Sequence, residues 1–170
     1  MTRRGAIWLL PLVLVLHNLE EGVFFPRYAA RVLGMLPTEL GNWVGPLSSR
    51  QMAAALVFAT IIPLGFCLWA LARPDSRTAL WLVLAMWATL LLNAAWHVTA
   101  AAALFGGYAP GVITAVFLNL PLSLVILRRA STEQWLSRPA RRALVPAAVA
   151  FHLPGALGLI LLGRALGGSG

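Results

Sequence analysis

The stretch that decides the fold of this chain is residues 80–105, which read LWLVLAMWATLLLNAAWHVTAAAALF. It holds no Asp, Glu, Lys or Arg. As a helix rising about 1.5 Å per residue, it is longer than the roughly 30 Å hydrocarbon core of a bilayer. The whole chain agrees, since 60% of its 170 residues are hydrophobic and 11% are charged, whereas a soluble domain has about 25% charged residues. We therefore exclude a disordered chain and predict a membrane protein.

Five apolar stretches reach the length of about 20 residues that a transmembrane helix needs. The predicted spans are residues 6–25, 52–71, 80–105, 110–127 and 143–162. The first is a retained helix and not a signal peptide, because it continues without a small-residue cleavage site and carries His17, Glu20 and Glu21. The predicted fold is all-α: a single integral membrane domain over residues 1–170, a polytopic bundle of about five transmembrane helices.

The 13 basic residues are all arginine and outnumber the five acidic residues, which gives a net charge of +8. Such a charge can indicate nucleic-acid binding. The arginines lie at the ends of the apolar runs, however, so we predict no nucleic-acid partner and instead contact with anionic membrane lipid. Alternating loops place nine arginines on one side and four on the other. The positive-inside rule then predicts a multi-pass protein of the bacterial plasma (inner) membrane, with a cytoplasmic N-terminus and a C-terminus outside.

The longest predicted connection, residues 26–50, lies on the outer side. Its apolar residues suggest a short interfacial helix or a cap over the bundle, with a mobile loop as the alternative. The Gly-Gly-Tyr-Ala-Pro-Gly sequence at residues 106–111 is a clear turn between the third and fourth spans.

Ionisable side chains inside a membrane span are costly and are functional candidates by default. In the first span, His17 lies three residues before Glu20 and four before Glu21, so the three share one helix face. Asn93 and His97 are four residues apart in the third span. The two groups lie about 17–23 Å and about 20–26 Å from the cytoplasmic ends of their spans, at similar depth. The other polar candidates in the spans are Thr114, Asn119 and His152.

Three explanations of this polar group stay open, and the first is a metal site. Imidazole and carboxylate are ligands for zinc and iron, and the His-x-x-Glu spacing mirrors the Glu-x-x-His spacing of dimetal helical bundles. One or two zinc or iron ions would be held by His17, Glu20, Glu21, His97 and His152. The protein would then be a metalloenzyme for a lipophilic substrate, with Glu20 and Glu21 catalytic. The residues expected to orient ligands or contact substrate are Asn93, Trp96, Thr114 and Asn119.

The second explanation is a metal-free acid–base enzyme, an isomerase or cyclase, in which Glu20 or Glu21 stays protonated and donates to the substrate. The third is a polar staple between helices, or part of a proton or ion path. The sequence leaves the metal, the substrate and the oligomeric state open.

The sequence His17-Asn18-Leu19-Glu20-Glu21 reads H-x-x-E-E near the end of the first span. Asn93-x-x-x-His97 follows in a later span, and Pro110-Gly111 opens the next. In these elements the chain resembles the HXXEE-domain family of small prokaryotic integral membrane proteins, over about residues 6–163. The resemblance implies that His17, Glu20 and Glu21 are important, and it implies no substrate.

Overall fold

The computed structural model describes residues 2–34, 38–39, 42, 45 and 48–166, with the backbone alone at 32 and 33. This described part is all-helical and contains no strand. Each of its five long helices is apolar enough to cross a membrane, which indicates a membrane protein. The helices are α1 (Arg3–Gly34), α2 (Ser49–Ala72), α3 (Arg77–Ala103), α4 (Val112–Thr132) and α5 (Arg138–Leu166).

Two helices begin at serine caps. The Ser48 side chain accepts from the Gln51 N–H at 3.2 Å, while the Gln51 side chain accepts from the Ser48 N–H at 3.1 Å. The Ser76 hydroxyl oxygen accepts from the Ala79 N–H at 3.2 Å. Each cap satisfies backbone donors that have no partner within the first helical turn, so the starts of α2 and α3 follow from local chemistry.

Helix α1 is longer than the predicted span. It continues through Pro26 and ends at Gly34, and not at Phe25. Phe25 is buried against Met52 of α2, and Ala29 packs on the same cluster, so this packing offsets the backbone donor that proline lacks. Of the predicted outer connection at residues 26–50, residues 26–34 belong to α1, and residues 35–37, 40–41, 43–44 and 46–47 lie outside the described residues.

Helix α3 is the centre of the bundle and packs against the other four helices. Its Trp87 is fully buried, and the indole N–H donates to the Ala6 carbonyl of α1 at 3.0 Å. Leu10 of α1 and Ile126 of α4 are buried in the same apolar cluster. This main core occupies the half of the bundle where the chain begins, and the buried histidines lie in the other half among smaller apolar clusters.

Two hydrogen bonds gather the arginine-rich segments at one end of the bundle. The Arg3 guanidinium donates to the Pro74 carbonyl at 2.9 Å, which joins the N-terminus to the α2–α3 turn. The Trp81 indole donates to the Ala140 carbonyl at 2.9 Å, which joins the start of α3 to the start of α5. At the opposite end, the rings of Tyr28 and Phe105 are in contact.

Two of the helices contain short π-helical stretches, at Ala115–Asn119 in α4 and at Phe151–Gly155 in α5. The second includes His152 and Pro154. Both stretches contact α3. Such π-helical insertions are frequent at functional sites, and both of these contact the helix that carries Asn93 and His97.

Candidate metal centre

Three of the predicted ligands come together between α1 and α3. One ligand atom each from His17, Glu21 and His97 lies within 4.8 Å of the others. The two imidazole rings are 5.0 Å apart between centroids and meet edge to face at 82°. Both histidines are buried, whereas Glu21 is half-buried. The packing of α1 on α3 therefore assembles one carboxylate and two imidazoles in an apolar environment.

Thr114 of α4 orients His17. The Thr114 hydroxyl lies 2.8 Å from His17 Nδ1 and donates to Glu20 Oε2 at 2.6 Å. The Gly111 carbonyl, 3.2 Å from the same hydroxyl, is also only an acceptor. Because the hydroxyl has a single proton to donate, its contact with Nδ1 requires His17 to carry a proton there. The lone pair of His17 then lies on Nε2.

The Nε2 atoms of both histidines are buried and make no hydrogen bond within the described residues. Buried polar atoms normally have a partner, because an unpaired one costs about 1–3 kcal/mol. A metal ion is coordinated directly by such a nitrogen lone pair. The other ring nitrogen of a ligating histidine commonly donates its N–H to a carboxylate or similar acceptor, and this hydrogen bond fixes the tautomer. The arrangement of Glu20, Thr114 and His17 fits that pattern, with the hydroxyl between carboxylate and imidazole.

Glu20 has a different position from the one expected of a metal ligand or catalytic acid. Its carboxylate accepts from the Ile113 N–H at 3.1 Å and from the Thr114 N–H at 2.7 Å, in the first turn of α4. The Thr114 hydroxyl and the Tyr108 phenol, at 3.0 Å, complete the set of donors. A carboxylate is stabilised at a helix N-terminus, where backbone donors are free. Glu20 therefore docks α4 onto α1 and lies outside the group of three ligands.

Gly111 brings the loop before α4 against both imidazoles. Its φ of +84° lies in the left-handed region that glycine adopts without strain. A Cβ atom at this position would lie 2.8 Å from His17 Cε1 and 3.0 Å from His97 Cε1. No larger residue fits there without moving the rings, so Gly111 sets how closely α4 approaches the site.

His152 and Asn93 lie near the group of three without belonging to it. His152 is close enough to His97 for an electrostatic interaction, but it is not one of the three clustered ligands. Asn93 interacts with the side chain of His17, and its buried Oδ1 accepts no hydrogen bond of good geometry among the described residues.

Two other predicted residues point elsewhere. Trp96 is 48% exposed and faces the outside of the bundle, because consecutive helical residues point about 100° apart and His97 faces inward. Asn119 is fully buried one turn beyond Thr114, and its amide oxygen and nitrogen have no partner among the described residues. Neither takes part in the hydrogen bonds that connect Glu20, Thr114 and His17.

Tyr108 and Gly111 are parts of this site that the sequence interpretation missed. Tyr108 donates to Glu20 and contacts the rings of Phe24 and Tyr28. Burial, together with the hydrogen bond to Glu20, raises the pKa of the Tyr108 phenol. The available signal was the turn at residues 106–111, whose glycines and lone tyrosine follow directly after the helix that carries His97.

Comparison with known proteins agrees with the motif that organises this site. The family model described as "Protein of unknown function with HXXEE motif" matches residues 8–126, a segment that contains all three clustered ligands and excludes His152. The uncharacterized protein YrkK of Bacillus subtilis (strain 168) is 23% identical over 114 residues, which is 67% of each chain. No solved structure matches the chain. The chain belongs to the HXXEE family, and its H-x-x-E-E motif is His17 to Glu21.

Proposed function

We propose that this chain is an integral membrane metalloprotein, with a zinc or iron ion held by His17, His97 and Glu21. The observation that carries the proposal is the convergence of one ligand atom each from His17, Glu21 and His97 within 4.8 Å, together with Nε2 atoms on both histidines that have no hydrogen-bond partner among the described residues. Binding of a cation would satisfy both nitrogens and offset the burial of the carboxylate. Imidazole and carboxylate are suitable ligands for both metals.

The ligand count favours a catalytic ion over a structural one. Structural zinc sites are closed by four protein ligands. Catalytic zinc sites use three protein ligands and leave a fourth position for water or substrate, and one known set of three is two histidines and a glutamate. Two histidines and one carboxylate also form the open iron site of non-haem oxygenases. Because Glu20 is held by α4, the described part of the chain offers no second free carboxylate to bridge two ions, which favours a single ion.

The reaction proposed is metal-assisted hydrolysis, oxidation or rearrangement of a lipophilic substrate. A bound ion would supply Lewis acidity or, if it is iron, redox chemistry. The chain's own residues orient the site: Thr114 fixes the His17 tautomer, and Gly111 sets the position of α4. Glu21 is half-buried, so the group of three ligands is partly accessible from outside the bundle. This accessibility supports entry of substrate from the bilayer.

We further infer the orientation given by the positive-inside rule, with the N-terminus in the cytoplasm of a bacterium. The support is the gathering of the N-terminus, the α2–α3 turn and the α4–α5 loop at one end of the bundle, through the Arg3 and Trp81 hydrogen bonds. The metal site would then lie in the outer half of the plasma membrane.

A proton or ion pathway is the second candidate, and buried polar side chains favour it. Asn119 and Ser123 of α4 are fully buried, and their side-chain polar atoms have no partner among the described residues, as is the case for Asn93 Oδ1. Groups of this kind are commonly satisfied by internal water. The pair Glu20 and Glu21 has less support as an acid–base couple, because four donors already hold the Glu20 carboxylate.

The metal proposal is tested by elemental mass spectrometry on protein purified in detergent without chelator. Wild type is expected to hold about one zinc or iron ion per chain. His17→Ala/Glu21→Ala should lose it, whereas the control His152→Ala, outside the group of three, should retain it. A metal-free but folded wild type would overturn the proposal. Proton flux into vesicles, reduced by Asn119→Leu, would then support the pathway.

A further inference from the structure

A cavity of about 750 Å³ opens at the arginine-rich end of the bundle, far along α3 from the histidines. It lies between the first turn of α3 and the loop that joins α4 to α5. The residues that line it include Arg77, Trp81, Trp135, Ser137, Arg138 and Arg141. Its size is typical of a binding site for a small molecule, which is about 300–1,000 Å³.

The cavity carries positive charge without a counter-charge. Three arginines line it, and no acidic side chain does so among the residues that the structure describes. Neither Arg77 nor Arg138 makes a hydrogen bond or ion pair within the described part of the chain. Arg141 is held by the carbonyl and the hydroxyl of Ser131, both at 2.8 Å. Unpaired guanidinium groups that converge on a cavity attract anions, and their planar donors match phosphate oxygens.

The nearest acidic side chain in the α4–α5 loop is already engaged. Glu133 is paired with Arg129 and also accepts from the Trp135 indole at 2.9 Å. The hydrogen bond from Arg129 lowers the pKa of the Glu133 carboxyl. Glu133 therefore remains paired with Arg129 and does not neutralise the arginines of the cavity, and Asp75, two residues before Arg77, does not line the cavity.

Two tryptophans place the cavity at the level of lipid headgroups. Trp81 and Trp135 line it, and the Trp81 indole joins α3 to α5 through the Ala140 carbonyl. Tryptophan is enriched at the boundary between bilayer and water. Basic pockets between helices on the cytoplasmic side of a membrane bind anionic headgroups, and the orientation inferred above puts this end of the bundle on that side. The first turn of α3, which includes Arg77 and Thr78, adds the positive end of a long helix.

We propose that this cavity binds the phosphate of an anionic phospholipid headgroup through Arg77, Arg138 and Arg141. The ligand is recognised by its phosphate oxygens together with a net negative charge, while its acyl chains lie along the apolar surface of the bundle. The bound headgroup would tie the first turn of α3 to the start of α5 and stabilise the fold. This inference is independent of the metal site.

The test measures thermal unfolding of the purified full-length protein in detergent, titrated with phosphatidylglycerol, phosphatidylcholine or inorganic phosphate. The variant is Arg77→Gln/Arg138→Gln. The control is Arg4→Gln/Arg73→Gln, which removes the same charge at the same end of the bundle but outside the cavity. Circular dichroism and size exclusion without added lipid establish that both variants are folded.

Phosphatidylglycerol is expected to raise the unfolding temperature of wild type and of the control. The concentration for half of that effect should increase about tenfold or more in the cavity variant, since each arginine near an anionic lipid contributes substantially to binding. An equal loss in both variants would overturn the proposal in favour of general charge attraction. Stabilisation by inorganic phosphate alone, or by phosphatidylcholine to the same extent, would also overturn it.

Discussion

The substitution Gly111→Ala tests whether the loop before α4 sets the geometry of the metal site. The added Cβ would lie 2.8 Å from His17 Cε1 and 3.0 Å from His97 Cε1. Non-bonded carbon atoms rest about 3.5–4.0 Å apart, so the rings must retreat by at least about 0.5–0.7 Å. Bonds from a metal to its ligands tolerate only about 0.2 Å. The displacement exceeds that tolerance for both histidines.

The matched control is Gly106→Ala. Gly106 has a φ of +69°, also in the left-handed region, but a Cβ there would meet nothing within 4 Å. Both variants incur about 1–2 kcal/mol of backbone strain. Only Gly111→Ala also crowds the ligands, and we expect it to lose about 1–3 kcal/mol more in stability and to bind metal at least about tenfold more weakly.

The assay is a cobalt titration of metal-stripped protein in detergent, followed by the visible absorption of the bound ion, with thermal unfolding measured on the same samples. Gly106→Ala should bind cobalt as wild type does, at a lower unfolding temperature. Equally tight cobalt binding by Gly111→Ala and Gly106→Ala would show that the two imidazoles do not hold the ion. It would refute the role of Gly111 in setting the geometry of the metal site.

Three further predictions concern the supporting contacts. Thr114→Val removes the hydroxyl between His17 and Glu20 and should weaken cobalt binding by about 10–100-fold. The control Thr99→Val removes an exposed hydroxyl that donates to the Ala95 carbonyl of its own helix and should leave cobalt binding unchanged. Equal cobalt affinities of the two variants would exclude a positioning role for Thr114. Gly163→Ala places a Cβ against the Gln51 carbonyl oxygen and 2.9 Å from the Ala55 nitrogen of α2, and it should destabilise the fold by about 1–3 kcal/mol. Gly158→Ala meets nothing within 4 Å and should stabilise α5 by about 0.5–1 kcal/mol, so similar unfolding temperatures for the two variants would contradict the close packing of α2 and α5. Because burial and the bond to Glu20 raise the pKa of Tyr108, its contribution to stability is present below the ordinary tyrosine pKa of about 10 and is lost as the pH rises above it. Wild type should therefore lose its stability advantage over Tyr108→Phe in alkaline buffer, and parallel pH profiles of the two unfolding temperatures would argue against this linkage.

The sequence was sufficient for the helices and for the face on which the polar residues lie. Apolar length predicted five long helices, and the H-x-x-E-E spacing placed His17 and both glutamates on one side of α1, because helical periodicity is a local property. The end of α1 was less accessible. Pro26 suggested a boundary, but the packing of Phe25 against Met52 of α2 carries the helix on to Gly34.

The roles of the two glutamates were decided only in three dimensions. Glu20 and Glu21 are both one turn from His17, so their spacing does not distinguish a ligand from a residue that docks another helix. The distinction arises because the first turn of α4 presents free backbone donors to Glu20. Tyr108 and Gly111 also join the site only through tertiary contacts, Tyr108 by its hydrogen bond to Glu20 and Gly111 by its close approach to the two imidazoles.

The sequence by itself thus determined an all-helical chain apolar enough for a membrane and the identity of its buried titratable residues. Only the tertiary structure decided that His17, Glu21 and His97 converge, that Trp96 faces outward, and that His152 stays outside the group of three. The physical reason is that spacing along one helix fixes which side chains share a face. Which faces meet depends on the packing of α1, α3 and α4 against one another, and that packing is set by contacts between residues far apart in the chain.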